Sequence, residues 1–294
     1  MQDILKWGIA IIESVQSYRT PALDAIFQVV TFFGDEVFYL IAFPFILWCI
    51  NRRLGMLLGL MTLSAAYVNL ELKELIQQPR PYQLAPHVAV ITAESYGMPS
   101  GHAQISIVFW GLVAHELKQS AAWIAAGFVS LIIGFSRVYL GVHFPTDVIA
   151  GWILGAMLLA FGIAAFKKNF HAIEHTRPTV LVLIFVILPI ILFFVDPSSS
   201  VAAALGTLSG AGLGFILSQD ALKNEIESSL SAKTVNFLLG IVGLFLIYAG
   251  LKALFPTSDF WLIEDGFRFI RYWFCGLWIV WGAPKIFDQL QLAK

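Results

Sequence analysis

Two histidines with polar neighbours are the residues of this sequence best suited to chemistry. Asp147 follows His143 by four positions, at the start of an apolar run. At that spacing a carboxylate can bind one imidazole nitrogen, fix the tautomer and leave the other nitrogen free as a nucleophile or base. His102, in a second polar segment, is a further group that can exchange a proton near neutral pH. The spacing alone does not decide which histidine attacks, although Asp147 favours His143.

The segment that contains His102 is suited to holding an anion. Pro99 cannot continue a preceding helix, Ser100 is a preferred N-cap residue, and the sequence predicts a helix over 103–117. The N–H groups of Ser100, Gly101 and His102 are then expected to point freely out of the first turn, where the helix dipole favours phosphate. Gly101 also allows the backbone to approach a ligand closely. The simpler alternative is that this segment only starts a helix, because N-cap serines are common.

Three cations complete the candidate site. Lys73, Gln77 and Arg80 are spaced four and three apart, so a helix that continues through this segment places them on one face. Arg137 lies at the end of the predicted membrane span 121–138, and Asp147 lies near the start of the next predicted span, 145–166. Each residue also has a structural explanation. Lys73 can snorkel to the membrane surface, and Arg137 and Asp147 suit the helix ends at which they lie.

Together these groups have the composition of a phosphoryl-transfer site. That reaction needs cations on the non-bridging oxygens, an in-line nucleophile and an acid for the leaving oxygen. One carboxylate beside two histidines does not make a dinuclear metal site, so we expect metal-free chemistry with no cofactor. Ionisable groups gathered at one depth of a membrane protein are costly and usually functional, which favours a functional site over a set of unrelated structural residues.

The composition predicts an integral membrane protein. Of the 294 residues, 59% are hydrophobic and 13% are charged, whereas a soluble domain averages about 25% charged residues. The formal net charge of −1 provides no basic stripe, which argues against nucleic acid as a partner. Cys49 and Cys275 lie inside apolar runs, where packed free thiols are expected.

Apolar runs along the whole chain predict an all-α, polytopic membrane helix bundle. Residues 1–17 have the pattern of an interfacial amphipathic helix, and residues 22–33 form a second helix that is too short to span a bilayer. The nine predicted spans are 36–50, 54–72, 103–117, 121–138, 145–166, 179–195, 201–217, 234–254 and 269–283. We divide the chain into interfacial helices over 1–35, a catalytic helix core over 36–167 and additional transmembrane helices over 168–294.

Basic residues in the short connections predict the orientation in the membrane. More of them, including Arg52, Arg53, Lys167 and Lys168, lie on the side that we assign to the cytoplasm. The polar connections that carry the candidate site then lie on the outer face, with the N-terminus outside and the C-terminus inside. We therefore expect a multi-pass protein of a bacterial inner membrane with its active site on the outer face.

The spacing of the candidate residues resembles a known three-part signature. It is that of the type 2 phosphatidic acid phosphatase superfamily, which includes lipid phosphate phosphatases, undecaprenyl pyrophosphate phosphatases, glucose-6-phosphatases and vanadium haloperoxidases. The matching motifs, which have no gap or substitution, are Lys73-x6-Arg80-Pro81, Pro99-Ser100-Gly101-His102 and Ser136-Arg137-x5-His143-x3-Asp147. The resemblance covers roughly residues 20 to 167 and leaves the rest of the chain without a motif.

This resemblance implies a role for each residue. His143 is the implied nucleophile that forms a phosphohistidine, Asp147 holds its ring, and His102 protonates the departing alcohol and then helps water to attack. The implied ligands of the phosphoryl oxygens are Lys73, Arg80, Arg137, Ser100 and the Gly101 amide.

Several functions are compatible with these motifs. We favour a phosphatase that acts on a lipid phosphate or diphosphate, with membrane lipids around it and a homodimer as a possible assembly. Within the enzyme class, the alternative is a phosphatase for a soluble sugar phosphate, of the glucose-6-phosphatase type. In another class, a lipid transporter or flippase could use the cations to bind a headgroup, and glycines 206, 210, 212 and 214 would permit the close helix packing that such a protein needs. The pair of His143 and Asp147 favours the enzyme, because binding alone does not require it.

Overall fold

The regular elements of the protein are helices. The computed structural model describes residues 2–175, 177–218, 229–256 and 258–290, with the backbone alone over 166–175. Over these residues the chain forms α1 (Gln2–Gln16), α2 (Pro21–Phe32), α3 (Glu36–Phe45), α4 (Arg52–Ile76), α5 (Pro81–Leu84), α6 (Gly101–Leu117), α7 (Ser120–Tyr139), α8 (Pro145–His175), α9 (Pro178–Val182), α10 (Leu188–Val195), α11 (Ser199–Leu217), α12 (Leu230–Leu254), α13 (Trp261–Leu277) and α14 (Ala283–Gln289). The predicted all-α class is confirmed for this part of the chain.

Six of the described helices are long and apolar enough to cross a membrane. They are Arg52–Leu84, which includes α4 and α5, Ser120–Tyr139, Pro145–Ala165, Pro178–Val195, which includes α9 and α10, Ser199–Leu217 and Leu230–Leu254. A seventh span is possible if Pro21–Phe32 and Glu36–Ile50, which are bent by 46° relative to each other, cross together. The predicted count of nine is not confirmed, because α6 has only 17 residues and α13 carries four charged residues within its 17.

The chain forms two compact units. The first comprises Met1–Leu40 with Val68–Ala164, and the second comprises Ile41–Tyr67 with Ala165–Lys294. All of the candidate site residues belong to the first unit. The three predicted segments, divided near residues 35 and 167, were defined by function and stay a prediction.

In the first unit, α1 packs on the segments that carry the site. Gly8 and Ile12 are buried, and a Cβ added to Gly8 would lie 2.6 Å from Cδ1 of Phe144. The side-chain amide of Gln16 donates hydrogen bonds to the carbonyls of Val88 at 2.9 Å and Tyr139 at 2.7 Å. The predicted N-terminal helix therefore forms, and its position at a membrane interface stays a prediction.

Glycines bring the start of α8 against the start of α6. A Cβ added to Gly151 would lie 2.5 Å from the carbonyl oxygen of Ser100, and one added to Gly155 would lie 2.5 Å from that of Gln104. The N–H of Ser100 also donates to the carbonyl of Asp147 at 3.0 Å. This close approach places two of the three sequence motifs side by side.

A sharp turn after α7 delivers His143 to the same place. Gly141 has φ of +73°, and a Cβ there would collide with the carbonyl of Val88. Only glycine fits this left-handed, crowded position without strain. The chain therefore reverses within a few residues between Arg137 at the end of α7 and Pro145 at the start of α8.

In the second unit, small residues let α11 and α13 approach closely. A Cβ on Gly206 would lie 2.5 Å from the carbonyl oxygen of Phe269, and one on Gly210 would collide with that of Trp273. The predicted close packing at these glycines is confirmed. Cys49 and Cys275 are buried free thiols, as their apolar surroundings predict.

Candidate active site

His143 is held through both nitrogens of its ring. It is buried, Nδ1 lies 3.3 Å from Oδ2 of Asp147, and Nε2 lies 3.2 Å from NH1 of Arg80. A guanidinium can only donate, so Nε2 must accept and Nδ1 must carry the proton that faces the carboxylate. The predicted contact between His143 and Asp147 is present, and it leaves Nε2 with the lone pair that a nucleophile needs.

Asp147 is fixed more tightly than its role toward His143 requires. Its side chain is fully buried, with Oδ1 accepting from the amide of Gln78 at 2.5 Å and Oδ2 accepting from the N–H of Phe144 at 2.9 Å. The second bond is half of a capping box at the start of α8, which explains why a carboxylate is favourable there. The same carboxylate therefore caps the helix and orients the imidazole.

The guanidinium of Arg80 is held by Ser95 and Val142 and also contacts His143. Its Nε donates to the carbonyl of Ser95 at 2.5 Å, NH2 donates to the Ser95 hydroxyl at 3.1 Å, and NH1 donates to the carbonyl of Val142 at 2.9 Å. The side chain is buried, so its charge acts in surroundings of low polarity. This arrangement fixes a cation at the atom from which attack would start.

Lys73 binds the loop that contains Ser95, as Arg80 does, but the backbone between Lys73 and Arg80 differs from the prediction. Its Nζ donates to the Ser95 hydroxyl at 3.0 Å and to the carbonyl of Tyr96 at 2.5 Å. However, α4 ends at Ile76, Gln77 has φ of +52°, and Arg80 follows in extended conformation. The predicted single helical face for Lys73, Gln77 and Arg80 is wrong, because Pro79 disfavours helical backbone in the residue before it.

Ser100 lies at the N-cap of α6 without capping it. Its backbone is at the N-cap position, yet its hydroxyl makes no capping bond and is buried without a hydrogen-bond partner among the residues that the structure describes. The prediction that its N–H is free is wrong, since that group binds the carbonyl of Asp147. The hydroxyl, rather than the amide, is the group of Ser100 that is available to an anion.

His102 and Gly101 form the first turn of α6. His102 is 21% exposed, and its Nε2 has no hydrogen-bond partner in the described part of the chain. Gly101 leaves space for Asn69, since a Cβ there would lie 3.1 Å from its Oδ1. Nε2 of His102, the predicted proton donor, is therefore not engaged in a hydrogen bond with the described residues.

Arg137 is buried at the end of α7. NH1 donates to the hydroxyl of Thr31 at 2.6 Å, and Nε has no hydrogen-bond partner within the described residues. A structural role at the helix C-terminus would not require the side chain to be buried. A buried guanidinium with an unused donor is suited to a phosphate oxygen.

The charge distribution keeps His143 neutral. Burial, followed by the nearby Arg137, Arg80 and Lys73, holds the pKa of the His143 imidazole well below its ordinary value. Because a lowered pKa favours the uncharged ring, His143 is uncharged at neutral pH, which is the form that the predicted nucleophile requires. No group of three or more His, Cys, Asp and Glu suited to a metal ion occurs in the part of the chain searched, which is the described part.

Sequence reasoning missed the amides that surround these residues. Gln78 binds Asp147, and Asn69 donates to the carbonyl of Pro99 at 3.2 Å and to Oε1 of Gln104 at 2.7 Å. These uncharged groups fix the carboxylate and the loop before α6. Asn69 lies four residues before Lys73 on α4, so helical spacing from a predicted site residue was the signal that could have found it.

Comparisons with known proteins match two regions of the chain. Residues 54–171 match the model of the PAP2 superfamily, and residues 202–294 match the model of the PAP2 superfamily phosphatase transmembrane extension. The chain therefore carries a PAP2 superfamily domain followed by a PAP2 transmembrane extension. The second match also gives the region after the motifs, for which the sequence offered none, a place in the same superfamily.

Individual relatives match part of the chain. The probable sphingosine-1-phosphate phosphatase of Dictyostelium discoideum is 30% identical over 160 residues, which are 50% of this chain and 39% of that protein. Phosphatidylglycerophosphatase B of Bacillus subtilis is 34% identical over 124 residues, or 39% of this chain and 59% of that protein. The chain thus spans about half the length of the curated relatives that it matches.

A solved structure shares the fold. The crystal structure of the first transmembrane PAP2 type phosphatidylglycerolphosphate phosphatase from Bacillus subtilis superposes with a TM-score of 0.52 at 25% identity. The match covers 57% of this chain and 88% of that chain. With six membrane-length helices among the described residues, these matches identify an integral, multi-pass membrane protein.

Proposed function

We propose that the protein hydrolyses the phosphate ester or diphosphate of a lipid through a phosphohistidine at His143. The observation that carries this proposal is the double contact of the ring, with Nδ1 facing Asp147 and Nε2 facing Arg80. A site that only bound a headgroup would gain nothing from a histidine with a fixed tautomer. The proposal joins this geometry to the phosphatase activities that the names of the relatives state.

The reaction has two displacements at phosphorus. In the first, the Nε2 lone pair of His143 forms the N–P bond while the P–O bond to the lipid breaks, and His102 gives its Nε2 proton to the leaving oxygen. In the second, His102 takes a proton from water, the water oxygen bonds to phosphorus, and the N–P bond breaks. Phosphate is released together with a lipid alcohol from a phosphate ester, or with a lipid monophosphate from a diphosphate, and both histidines return to their starting forms.

The cations stabilise the charge that spreads over the phosphoryl oxygens. Arg80, Lys73 and Arg137 supply guanidinium and ammonium donors, while the Ser100 hydroxyl and the Gly101 amide supply neutral ones. Arg80 holds Nε2 in the free site, and its NH1 passes to a phosphoryl oxygen when substrate binds. The residues of the site supply nucleophile, acid and charge, so we propose that the reaction needs no metal ion.

A lipid is the proposed substrate because of the surroundings of the site. The polar groups lie at the ends of apolar helices, so a substrate can keep its chains in the bilayer while its phosphate enters. Following the distribution of basic residues, we propose that the site faces the outer side of a bacterial inner membrane. A nine-span arrangement and a homodimer belong to the same proposal.

A phosphate-release panel tests the function. The purified protein is assayed with phosphatidic acid, phosphatidylglycerophosphate, a sphingoid phosphate, undecaprenyl pyrophosphate and glucose 6-phosphate, with and without EDTA and vanadate. We expect release from a lipid substrate in EDTA, inhibition by vanadate, and loss by a factor of about 10⁴ or more in His143→Ala. His115→Ala is the matched control, because it removes a histidine outside the site.

Each other outcome overturns a specific part of the proposal. Release that persists in His143→Ala excludes the phosphohistidine, and loss in EDTA excludes the metal-free reaction. A preference for glucose 6-phosphate replaces the lipid substrate with a soluble one. Binding or transbilayer movement of a lipid without any phosphate release replaces the enzyme with a transporter.

A further inference from the structure

An acidic residue outside the three motifs lies beside His102. Asp35 occupies the bend between α2 and α3, and its Oδ2 is 3.9 Å from Nε2 of His102. Its other oxygen, Oδ1, accepts from the N–H of Val37 at 3.0 Å. The carboxylate is therefore oriented by the start of α3, with one oxygen used as a helix cap and the other facing the imidazole.

The bend that carries Asp35 is packed directly on the histidine ring. A Cβ added to Gly34 would lie 3.0 Å from Cδ2 and 3.3 Å from Cβ of His102. The absence of a side chain at Gly34 is what lets the backbone approach the ring so closely. The distance between Asp35 and His102 is thus set by backbone packing rather than by a long flexible side chain.

The charges around His102 otherwise oppose its proton. Burial, then Arg137, Lys73 and Arg80, hold the pKa of His102 well below its ordinary value. His143 also interacts electrostatically with His102. A general acid must be protonated before it can act, so a site rich in cations works against the function of His102. Asp35 is a carboxylate within 4 Å of that ring, and its charge acts in the opposite direction.

The separation suits a through-space effect. At 3.9 Å the two groups are too far apart for a hydrogen bond. The Nε2 proton therefore stays available to a substrate oxygen, while the negative charge still stabilises the imidazolium. The Asp35 side chain is 44% exposed, so solvent weakens this attraction without removing it.

We propose that Asp35 is a positioning residue whose carboxylate charge favours the protonated form of His102, the form that donates to the leaving oxygen. This inference rests on the proposed function, because it assigns a partner to the acid of that reaction. Asp35 also attracts Arg137 electrostatically. An effect through Arg137 would alter phosphate binding, whereas an effect through His102 alters the pH range in which the acid works.

The matched variants separate charge from helix capping. Asp35→Asn removes the charge and keeps an oxygen that can accept from Val37, because Asn and Asp cap helices about equally well. Glu36→Gln removes the neighbouring carboxylate, for which the structure shows no ion pair with His102. If Asp35 only caps α3, both variants behave like the wild type.

The experiment measures two pH titrations. The first is the pH dependence of kcat for phosphate release, whose basic limb reports the loss of the acid's proton. The second is the titration of the His102 ring in ¹⁵N-histidine-labelled protein in detergent micelles, with the signal assigned by His102→Gln. For Asp35→Asn we expect both the basic limb and the His102 titration to move to lower pH by about 1 unit, with KM nearly unchanged. Glu36→Gln is expected to keep both at wild-type pH.

The possible results are distinguishable. A His102 titration in Asp35→Asn that matches the wild type overturns the inference, as does a changed KM with an unmoved basic limb, which assigns the effect to Arg137. If no substrate of the panel is hydrolysed, the proposed function fails. The His102 titration still decides whether Asp35 acts on that ring.

Discussion

The starts of α6 and α8 form two halves of one site and differ in how their polar groups are satisfied. At α8, both nitrogens of His143 and both oxygens of Asp147 lie within hydrogen-bonding distance of a partner. At α6, the Ser100 hydroxyl and Nε2 of His102 have none among the residues that the structure describes. Both halves are largely buried, so exposure to solvent does not explain the difference.

A buried polar group without a partner costs about 1–3 kcal/mol. Such groups persist where a ligand satisfies them. In the proposed mechanism, the half at α8 is thus complete before substrate arrives and presents the proposed nucleophile, His143, in one tautomer. The half at α6 is incomplete until an anion supplies the acceptors. Substitutions of His143 and Asp147 should therefore mainly reduce kcat, whereas substitution of Ser100 should mainly weaken the interaction with phosphate.

The largest effect that would test this comparison is expected for Asp147→Asn. The amide oxygen that keeps the bond to the N–H of Phe144 also faces Nδ1 of His143, and as a neutral acceptor weaker than the carboxylate it favours the tautomer with a free Nε2 less strongly. Loss of an orienting aspartate from a comparable arrangement lowers kcat by about 10⁴. We expect a decrease of about 10³ to 10⁴ in kcat for phosphate release, with KM changed little.

The control for this variant is its stability. Asn can still accept from the N–H of Phe144, so the start of α8 should remain capped. Thermal unfolding followed by circular dichroism should therefore show a folded protein. A folded variant with wild-type kcat would contradict the role assigned to Asp147.

Arg80→Lys should have the next largest effect. Arg80 uses Nε, NH1 and NH2 at once, and a lysine cannot reproduce that planar fork. The positive charge remains, but the donor at Nε2 of His143 and the anchors on Ser95 are lost. We expect kcat/KM to fall by about 10², which corresponds to about 2.7 kcal/mol.

Lys73→Arg provides the comparison for that variant. The compact ammonium of Lys73 donates two hydrogen bonds to the loop that contains Ser95. Its replacement by arginine is therefore expected to reduce kcat/KM less than the replacement of Arg80 by lysine. Steady-state kinetics on the same lipid substrate give both values. Equal losses in the two variants would show that only charge, and not the fork of Arg80, matters at this position.

The contrast between the two halves also explains which parts of the site the sequence could predict. His143 and Asp147 are four residues apart at a helix start, so local spacing alone indicates their contact. Gln78 and Asp35 reach the site through contacts between distant segments, and nothing in their neighbourhoods marks them, whereas Asn69 is marked only by its helical spacing from Lys73. The predicted helical face of Lys73 and Arg80 was wrong because the backbone leaves α4 at Gln77, although both side chains still meet at Ser95.

The same limit applies to the fold. Apolar runs predicted helices because composition and length determine whether a segment can be helical in a membrane. They did not determine which helices cross it. α6 and α13 are helical as predicted, yet one is short and the other carries charges, and these properties leave the span count unresolved by sequence alone.

The smallest effect, and the sharpest test of the incomplete half, is expected for Ser100→Ala. The hydroxyl is buried without a hydrogen bond in the free site, so its removal should relieve that cost and raise the midpoint of thermal unfolding, whereas deletion of a capping hydroxyl lowers stability by about 1 kcal/mol. With substrate bound, the hydroxyl would donate to a charged oxygen, and its loss should lower kcat/KM by about tenfold.

Thr20→Ala gives the opposite pattern and serves as the control. The Thr20 hydroxyl caps α2 by accepting from the N–H of Leu23 at 3.2 Å, and Thr20 is exposed. Its removal should destabilise the protein by about 1 kcal/mol without changing kcat/KM. If Ser100→Ala is destabilised like Thr20→Ala and keeps its activity, Ser100 is an ordinary cap. In that case an anion would not explain the unsatisfied groups at α6. The division of the site into a complete and an incomplete half would then be wrong for Ser100.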